Sequence, residues 1–366
     1  SLGGPEPVHS IVALPLARET NGETLVSGAD FYASPRISPD GRRICWLEWD
    51  HPHMPWDETR LWVAELTRDG RPASSRCIAG GEGESIFQPE WSPAGTLCFV
   101  SDRSGWWNLY AWNDGAVRAL HPKEAEFGLP LWNLGMTSYA FHGEGALVAS
   151  FCDAGIWRLA TLDFLSGAWR EVATPFVAFS ALRAREGRAF AVAASPSEPT
   201  ALVEIALPSG EVRTLRSTAI SPPEAGCVSV GEPIAFPTTD GETAHAIFYR
   251  PRNDGHVAPE GELPPLRCGD RSGPTAATDA SYKLPIQYWT SRGFAVLDVN
   301  YRGSTGYGRA YREKLAGAWG VADVDDCVAG ALFLAREGLA DRQRLTISGG
   351  SAGGYTTLCA LVFREV

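Results

Sequence analysis

Arg344-Leu-Thr-Ile-Ser-Gly-Gly-Ser-Ala-Gly-Gly-Tyr-Thr-Thr-Leu-Cys-Ala-Leu-Val362 is the stretch on which the reading of this chain turns. Leu345, Thr346 and Ile347 form a short β-prone run, and Thr357, Leu358, Ala360, Leu361 and Val362 read as a buried helix. Between them Gly349, Gly350, Gly353 and Gly354 surround Ser351. A strand that passes into a helix this abruptly needs neighbours without side chains, hence Gly349 and Gly353.

Gly349-Gly350-Ser351-Ala352-Gly353 fits G-x-S-x-G, the nucleophile elbow. Such a turn lifts the serine hydroxyl out of the strand and aims the N-terminus of the following helix at the reaction site. The Ala352 N–H then points where an oxyanion would form. Ser351 is therefore the candidate nucleophile and Ala352 the candidate oxyanion donor. The bland alternative is a glycine-rich strand–helix turn with no chemistry. In this arrangement an Asp or Glu and then a His follow the serine along the chain. Only 15 residues follow Ser351, with Glu365 as their single acid and no histidine; His9, His51, His53, His121, His142, His245 and His256 all come earlier. The expectation is a fragment of a longer enzyme, or a chain that does not work by the usual arrangement.

The rest of the composition sets bounds. At 366 residues, 44% hydrophobic and 20% charged, the chain has the make-up of a soluble protein of two domains. A net charge of −11 argues against nucleic acid or an anionic membrane as partner. No apolar run reaches the ~18 residues of a membrane span, and the start lacks the pattern of a secretory signal, so a cytoplasmic location is predicted. Eight scattered cysteines without C-x-x-C read as small buried hydrophobes in a reducing compartment. No cofactor is expected and no metal: His51 and His53 share a Pro-fixed loop, His51 to Asp57, without a third ligand.

Upstream, a unit recurs. Pro35-Arg-Ile-Ser-Pro-Asp-Gly41 precedes the strand-like Ile44–Trp49 and Arg60–Leu66; Pro89-Glu-Trp-Ser-Pro-Ala-Gly95 precedes Leu97–Ser101 and Trp107–Trp112. Ser38 and Ser92 stand 54 residues apart. In Ser-Pro-x-Gly, proline presets φ and glycine takes positive φ, so each copy is a turn. Weaker copies follow at Ala146–Phe151 with Ile156–Ala160, and at Phe190–Ala194 with Ala201–Ala206. A period of about 50 residues with several strands per unit marks a β-propeller, here four to five blades over residues 1–230. The tryptophans of these strands read as blade packing. Asp102-Arg103-Ser-Gly105 reads as a turn with a local ion pair.

Residues 231–366 change character. A hairpin around Asp240-Gly241 is followed by a helix near 281–292, the apolar strand Gly293–Asn300, an amphipathic helix over 322–337 with Asp323 as its cap, and the elbow. Strands alternating with helices predict a parallel α/β sheet.

Together these pieces resemble the prolyl oligopeptidase family of serine peptidases, in its dipeptidyl aminopeptidase/acylaminoacyl peptidase branch. The resemblance rests on the Ser-Pro-Asp-Gly blades, on Gln287 to Gly308 and Trp319-Gly-Val-Ala-Asp-Val-Asp-Asp326, and on the elbow through Tyr355. It implies an incomplete N-terminal β-propeller followed by an incomplete α/β-hydrolase domain, truncated at both ends. It also implies acyl-enzyme cleavage of short peptides at Ser351, with Tyr301, Arg302, Gly303, Tyr307 and Tyr355 as candidate site-lining residues. Asp298 is expected to anchor the loop that follows its strand. Where relatives carry His-Gly-Gly-Pro, this chain has Arg267-Cys-Gly-Asp-Arg-Ser-Gly-Pro-Thr275, so Arg271, Ser272 and Gly273 stand in the second oxyanion region. Charges on a strand that should be buried suggest a locally altered reading frame or a decayed gene copy. Three function classes stay open: a serine peptidase, an esterase on the same machinery, and a non-catalytic propeller-type binding protein. A short peptide is the expected substrate, and homo-oligomerisation is left open.

Overall fold

The computed structural model describes residues 7–17, 22–113, 115–219, 224–270 and 277–366. The first pair, β1 (Ser10–Ala13) and β2 (Glu23–Ser27), is antiparallel. Four four-stranded antiparallel sheets follow. They comprise β3 (Phe31–Ile37), β4 (Arg43–Trp49), β5 (Arg60–Leu66) and β6 (Pro72–Gly80); β7 (Ile86–Trp91), β8 (Leu97–Ser101), β9 (Asn108–Asn113) and β10 (Ala116–Ala119); β11 (Tyr139–Phe141), β12 (Ala146–Asp153), β13 (Ile156–Asp163) and β14 (Ala168–Val172); and β15 (Ala178–Arg185), β16 (Arg188–Ala194), β17 (Ala201–Ala206) and β18 (Val212–Ser217). These are propeller blades.

The repeat has a physical cause. In the first copy the Ser38 N–H donates to Arg43 O (2.9 Å), Gly41 N–H to Ser38 O (2.8 Å) and Arg43 N–H to Ser38 Oγ (2.9 Å). In the second, Ser92 N–H donates to Thr96 O (2.7 Å), Gly95 N–H to Ser92 O (2.9 Å) and Thr96 N–H to Ser92 Oγ (3.0 Å). Gly41 at φ 72° and Gly95 at φ 85° supply the left-handed residue that each turn needs. Equivalent positions of the two blades are joined directly by Arg36 and Glu90, 2.7 Å apart. The turn from β12 to β13 puts Ala154 (φ 49°) and Gly155 (φ 82°) in succession, the geometry that matches the twist of a tight hairpin. One apolar core with Leu47, Phe87, Phe99, Leu109, Leu147 and Phe151 runs through the first three blades. Trp46 and Trp107 are fully buried, as blade packing requires. All eight cysteines are unpaired thiols, six of them buried; Cys77 is exposed and Cys227 intermediate.

The second part is an α/β domain on a five-stranded mixed sheet of order β19-β20-β22-β21-β23. Its strands are β19 (Glu232–Pro237), β20 (Thr243–Tyr249), β21 (Leu266–Asp270), β22 (Ala295–Asn300) and β23 (Leu345–Gly349). Its helices are α1 (Leu284–Thr290), α2 (Arg309–Glu313), α3 (Ala322–Arg336) and α4 (Ala352–Phe363). β19 and β20 form the expected hairpin, so the sheet is antiparallel on that side and parallel only from β22 through β21 to β23. β21 takes its place between β22 and β23 despite Arg267, whose guanidinium lies over the Trp289 ring at 5.3 Å in a half-buried position. The charge expected to be buried at Arg267 is thus half-buried and stacked on an aromatic ring.

Two helix expectations need correcting. Asp323 does not cap α3: the N-cap is Val321, and the buried Asp323 accepts the Gly320 N–H (2.7 Å) and the Thr356 hydroxyl (2.6 Å). The α4 helix is not buried all round. Gly353, Thr356, Cys359 and Ala360 face inward, while Leu358, Leu361, Val362 and Phe363 are 64–70% exposed. No helix among the described residues is long and apolar enough to cross a membrane.

Candidate active site

β23 ends at Gly349 and α4 begins at Ala352, leaving Gly350 and Ser351 to make the reversal. Ser351 sits at φ 54° and ψ −117°. That is left-handed backbone, where a residue with a Cβ is strained by on the order of 1–3 kcal/mol. Both flanks hold it there. Gly349 pairs with Asp270 across the sheet, Gly353 N–H donates to Gly350 O (3.0 Å), and the N–H groups of Gly354 and Tyr355 donate to Ser351 O (3.0 and 3.2 Å). The side chain is exposed and makes no capping bond to the helix it precedes. The Ala352 N–H has no hydrogen-bond partner among the described residues. An exposed hydroxyl beside an unused N–H at a positive helix end can bind and stabilise developing oxyanion charge.

Not every glycine of the elbow is sterically required. A Cβ on Gly350 would meet nothing within 4 Å, and one on Gly354 would make an ordinary contact with Gly349 O at 3.6 Å. Tyr355, half exposed one turn into α4, meets the Trp319 ring edge-on at 6.5 Å. Gly320 permits this approach, since a Cβ there would lie 2.8 Å from the Tyr355 ring.

The loop after β22 departs from expectation. Tyr301 is fully buried in the core of the α/β domain and lines no open site. Arg302 is buried against α3, with Nη2 2.9 Å from Asp326 Oδ1 and 2.8 Å from Thr239 Oγ1. Its own N–H donates to Asp326 Oδ2 at 2.7 Å. It braces loop to helix. Burial pushes the Asp326 carboxyl up, opposed by its bonds to Arg302. Gly303, at φ 118°, packs where a Cβ would strike Leu315 at 2.6 Å. Tyr307 does face a cavity, of about 200 Å³, shared with Trp132, Cys152 and Trp157 of the propeller. Its ring stacks on His245 at 4.1 Å. Asp298, expected to hold the loop after its strand, instead holds the segment before α1, accepting the Thr278 hydroxyl (3.1 Å). Arg271, Ser272 and Gly273 lie outside the described residues.

Sequence reasoning missed what joins the two parts. Asp102 does not pair with Arg103, which binds Glu84 (2.8 Å); it receives Arg309 (2.7 Å) and Arg312 (2.6 Å) from α2. The Arg312 guanidinium lies over the Trp107 ring at 4.3 Å. Beside it, Glu126 accepts the Trp107 N–H (2.8 Å) and the Gly308 N–H (3.0 Å), and burial pushes its carboxyl up to about 7. The only signal in the sequence was the spacing of Arg309 and Arg312 on one short helical turn. A cavity of about 310 Å³ opens next to this cluster, and a larger one of about 1080 Å³ lies where β21, β22 and β23 begin, at the end of the sheet away from Ser351. Active sites of open parallel sheets form where the strands end, so the larger cavity is not the candidate site.

Residues 280–365 match the sequence profile of the prolyl oligopeptidase family. Over these residues the chain is similar to the prolyl oligopeptidase family. The family match includes Tyr301 to Gly308, the Trp319–Asp326 segment and the elbow. A crystal structure of a puromycin hydrolase has a TM-score of 0.89 and 43% identity over 94% of this chain and 52% of its own. A Mycobacterium tuberculosis puromycin-hydrolysing peptidase has a TM-score of 0.89 and 39% identity, over 93% and 53%. Dipeptidyl aminopeptidase BIII of Pseudoxanthomonas mexicana is 32% identical over 133 residues, 36% of this chain and 19% of that protein. The chain thus spans about half the length of these two solved structures.

Proposed function

We propose that this chain carries the propeller and the nucleophile of a serine peptidase that hydrolyses short peptides through an acyl-enzyme on Ser351. The functional parts divide near residue 230. The observation that supports this most is the strained, exposed Ser351 beside the Ala352 N–H, which has no partner among the described residues. Both solved relatives named above are described as hydrolysing puromycin, an aminoacyl amide, which favours amide over ester substrates.

In the proposed step the Ser351 Oγ attacks the scissile carbonyl, its proton passes to a histidine, and the amine leaves with that proton. Ala352 N–H takes one side of the oxyanion. None of the seven histidines hydrogen bonds to Ser351 among the described residues; His245, for example, is stacked on Tyr307, and burial lowers its basicity. The base must come from elsewhere, so the 366-residue chain alone is expected to show no turnover. The test is hydrolysis of aminoacyl-p-nitroanilides and the matching esters by this chain and by the product of its whole source gene. Turnover by the gene product that vanishes in Ser351→Ala supports the reading. Turnover that survives Ser351→Ala, or none by the whole product, would sink it.

A further inference from the structure

The cavity of about 310 Å³ is walled from both parts of the molecule. Trp56 and Asp57 come from the loop between β4 and β5, Arg309 and Glu313 from α2, and Leu315 and Trp319 from the segment before α3. Its size reaches the lower end of pockets that enclose ligand groups. Trp56, Trp319 and Leu315 give it aromatic and aliphatic surface beside the charged Asp57, Arg309, Arg312 and Glu313. Trp56 is 5% exposed and touches Trp132 of the propeller at 4.3 Å between ring centroids, while Trp319 is 46% exposed. Trp319 in turn meets Tyr355, one turn beyond Ser351. An aromatic line therefore runs from the blades, past this cavity, to the elbow. Three of its members, Trp132, Trp319 and Tyr355, show about half their surface to solvent.

The charges around the cavity are already matched. Arg309 binds Asp102 (2.7 Å) and Glu313 (2.6 Å), and Arg312 binds Asp102 (2.6 Å). Among the described residues, both cations of the wall, Arg309 and Arg312, are paired with carboxylates, although Arg312 Nη1 has no hydrogen-bond partner, and Asp57 and Glu313 add negative charge at the wall. A neutral, flat or branched side chain gains from burial between two indoles, whereas a carboxylate meets like charge and loses water.

We propose that this cavity is a side-chain pocket of the peptide site, taking a large apolar or aromatic residue near the scissile bond, with Trp319 as the residue that sets the preference. The inference rests on the peptidase reading for its substrate class, but its test needs no turnover. Fluorescence anisotropy would be measured with the Ser351→Ala chain and labelled tripeptides carrying Phe, Leu, Ala or Asp at each position in turn. Phe and Leu peptides are expected to bind at least about tenfold more tightly than Asp peptides, at one position of the three. Trp319→Ala removes that advantage and leaves the Ala peptide nearly unchanged; Trp319→Phe keeps most of it, which separates a lost wall from a misfolded chain. Equal affinities across the panel, no peptide binding, or an undiminished preference in a folded Trp319→Ala chain would overturn the pocket. Selective binding without hydrolysis by the whole gene product would leave the pocket standing and remove the serine reading. Hydrolysis with a flat side-chain preference would do the reverse.

Discussion

Ser351 keeps a Cβ at φ 54°, a conformation that glycine adopts freely. Replacing it tests the strain apart from the chemistry. Ser351→Gly is expected to be more stable than Ser351→Ala by roughly 1 kcal/mol in urea unfolding, because glycine relieves the left-handed backbone and alanine does not. Equal stabilities would mean that the elbow is unstrained. Glu126 offers a second single-residue test. Burial is the main cause that raises its carboxyl from 4.5 to about 7; bonds from the Trp107 and Gly308 N–H groups and the charge of Arg312 oppose it, and the charge of Asp102 adds to it. A carboxyl with a raised native pKa makes the native state hold the proton longer than the unfolded chain. Its contribution is complete below about 4.5 and is lost as pH rises through about 7, by up to roughly 3 kcal/mol. Glu126→Gln should therefore flatten the fall in unfolding free energy between pH 5 and pH 8. A variant with an unchanged slope would show that Glu126 is not the titrating group.

The α4 helix shows where apolar content and burial part company. Its run Leu358 to Phe363 is greasy in sequence, yet only Cys359 and Ala360 of that run are buried, because β23 is an edge strand and nothing among the described residues covers its outer side. Leu361→Glu should accordingly change the stability of this chain by no more than about 0.5 kcal/mol, where a core leucine would cost several times that. A melting curve shifted far downward would restore the buried reading. The blades were legible for the opposite reason. Their signal is local: Ser-Pro-x-Gly closes its own hydrogen bonds within six residues, so Ser38 and Ser92 announce the same turn wherever they occur. The α3 helix was legible in position, but its buried face takes in Asp326 and Gly330 beside Val324 and Cys327. Polar residues buried against a distant partner carry no apolar mark.

At the scale of the whole molecule, the two parts are held by α2 on Asp102, a contact more than 200 residues apart in sequence. Nothing short of the fold reveals it, which is why Asp102 read as part of a turn. For the same reason Tyr301 and Arg302, placed just past a parallel strand, were not recognised as core and brace: Arg302's partners Asp326 and Thr239 lie in other elements, and Tyr301 packs into a core shared by several of them. Asp102→Ala leaves two arginines short of a buried counter-charge. It should cost about 3–5 kcal/mol and speed limited proteolysis between β18 and β19. Unchanged digestion would show that the arginine contact does not hold the parts together. The strand order of the mixed sheet has a consequence in time. Each blade is made of neighbours in sequence and can close as soon as its own residues leave the ribosome, whereas β21 must wait for β22, and then for β23, whose Thr346 hydroxyl bonds Leu266 O across 80 residues. The elbow at Ser351 is therefore shaped only after all the blades described above have been synthesised, so, on the peptidase reading proposed here, a nascent chain would carry no formed nucleophile while its propeller strands are still emerging.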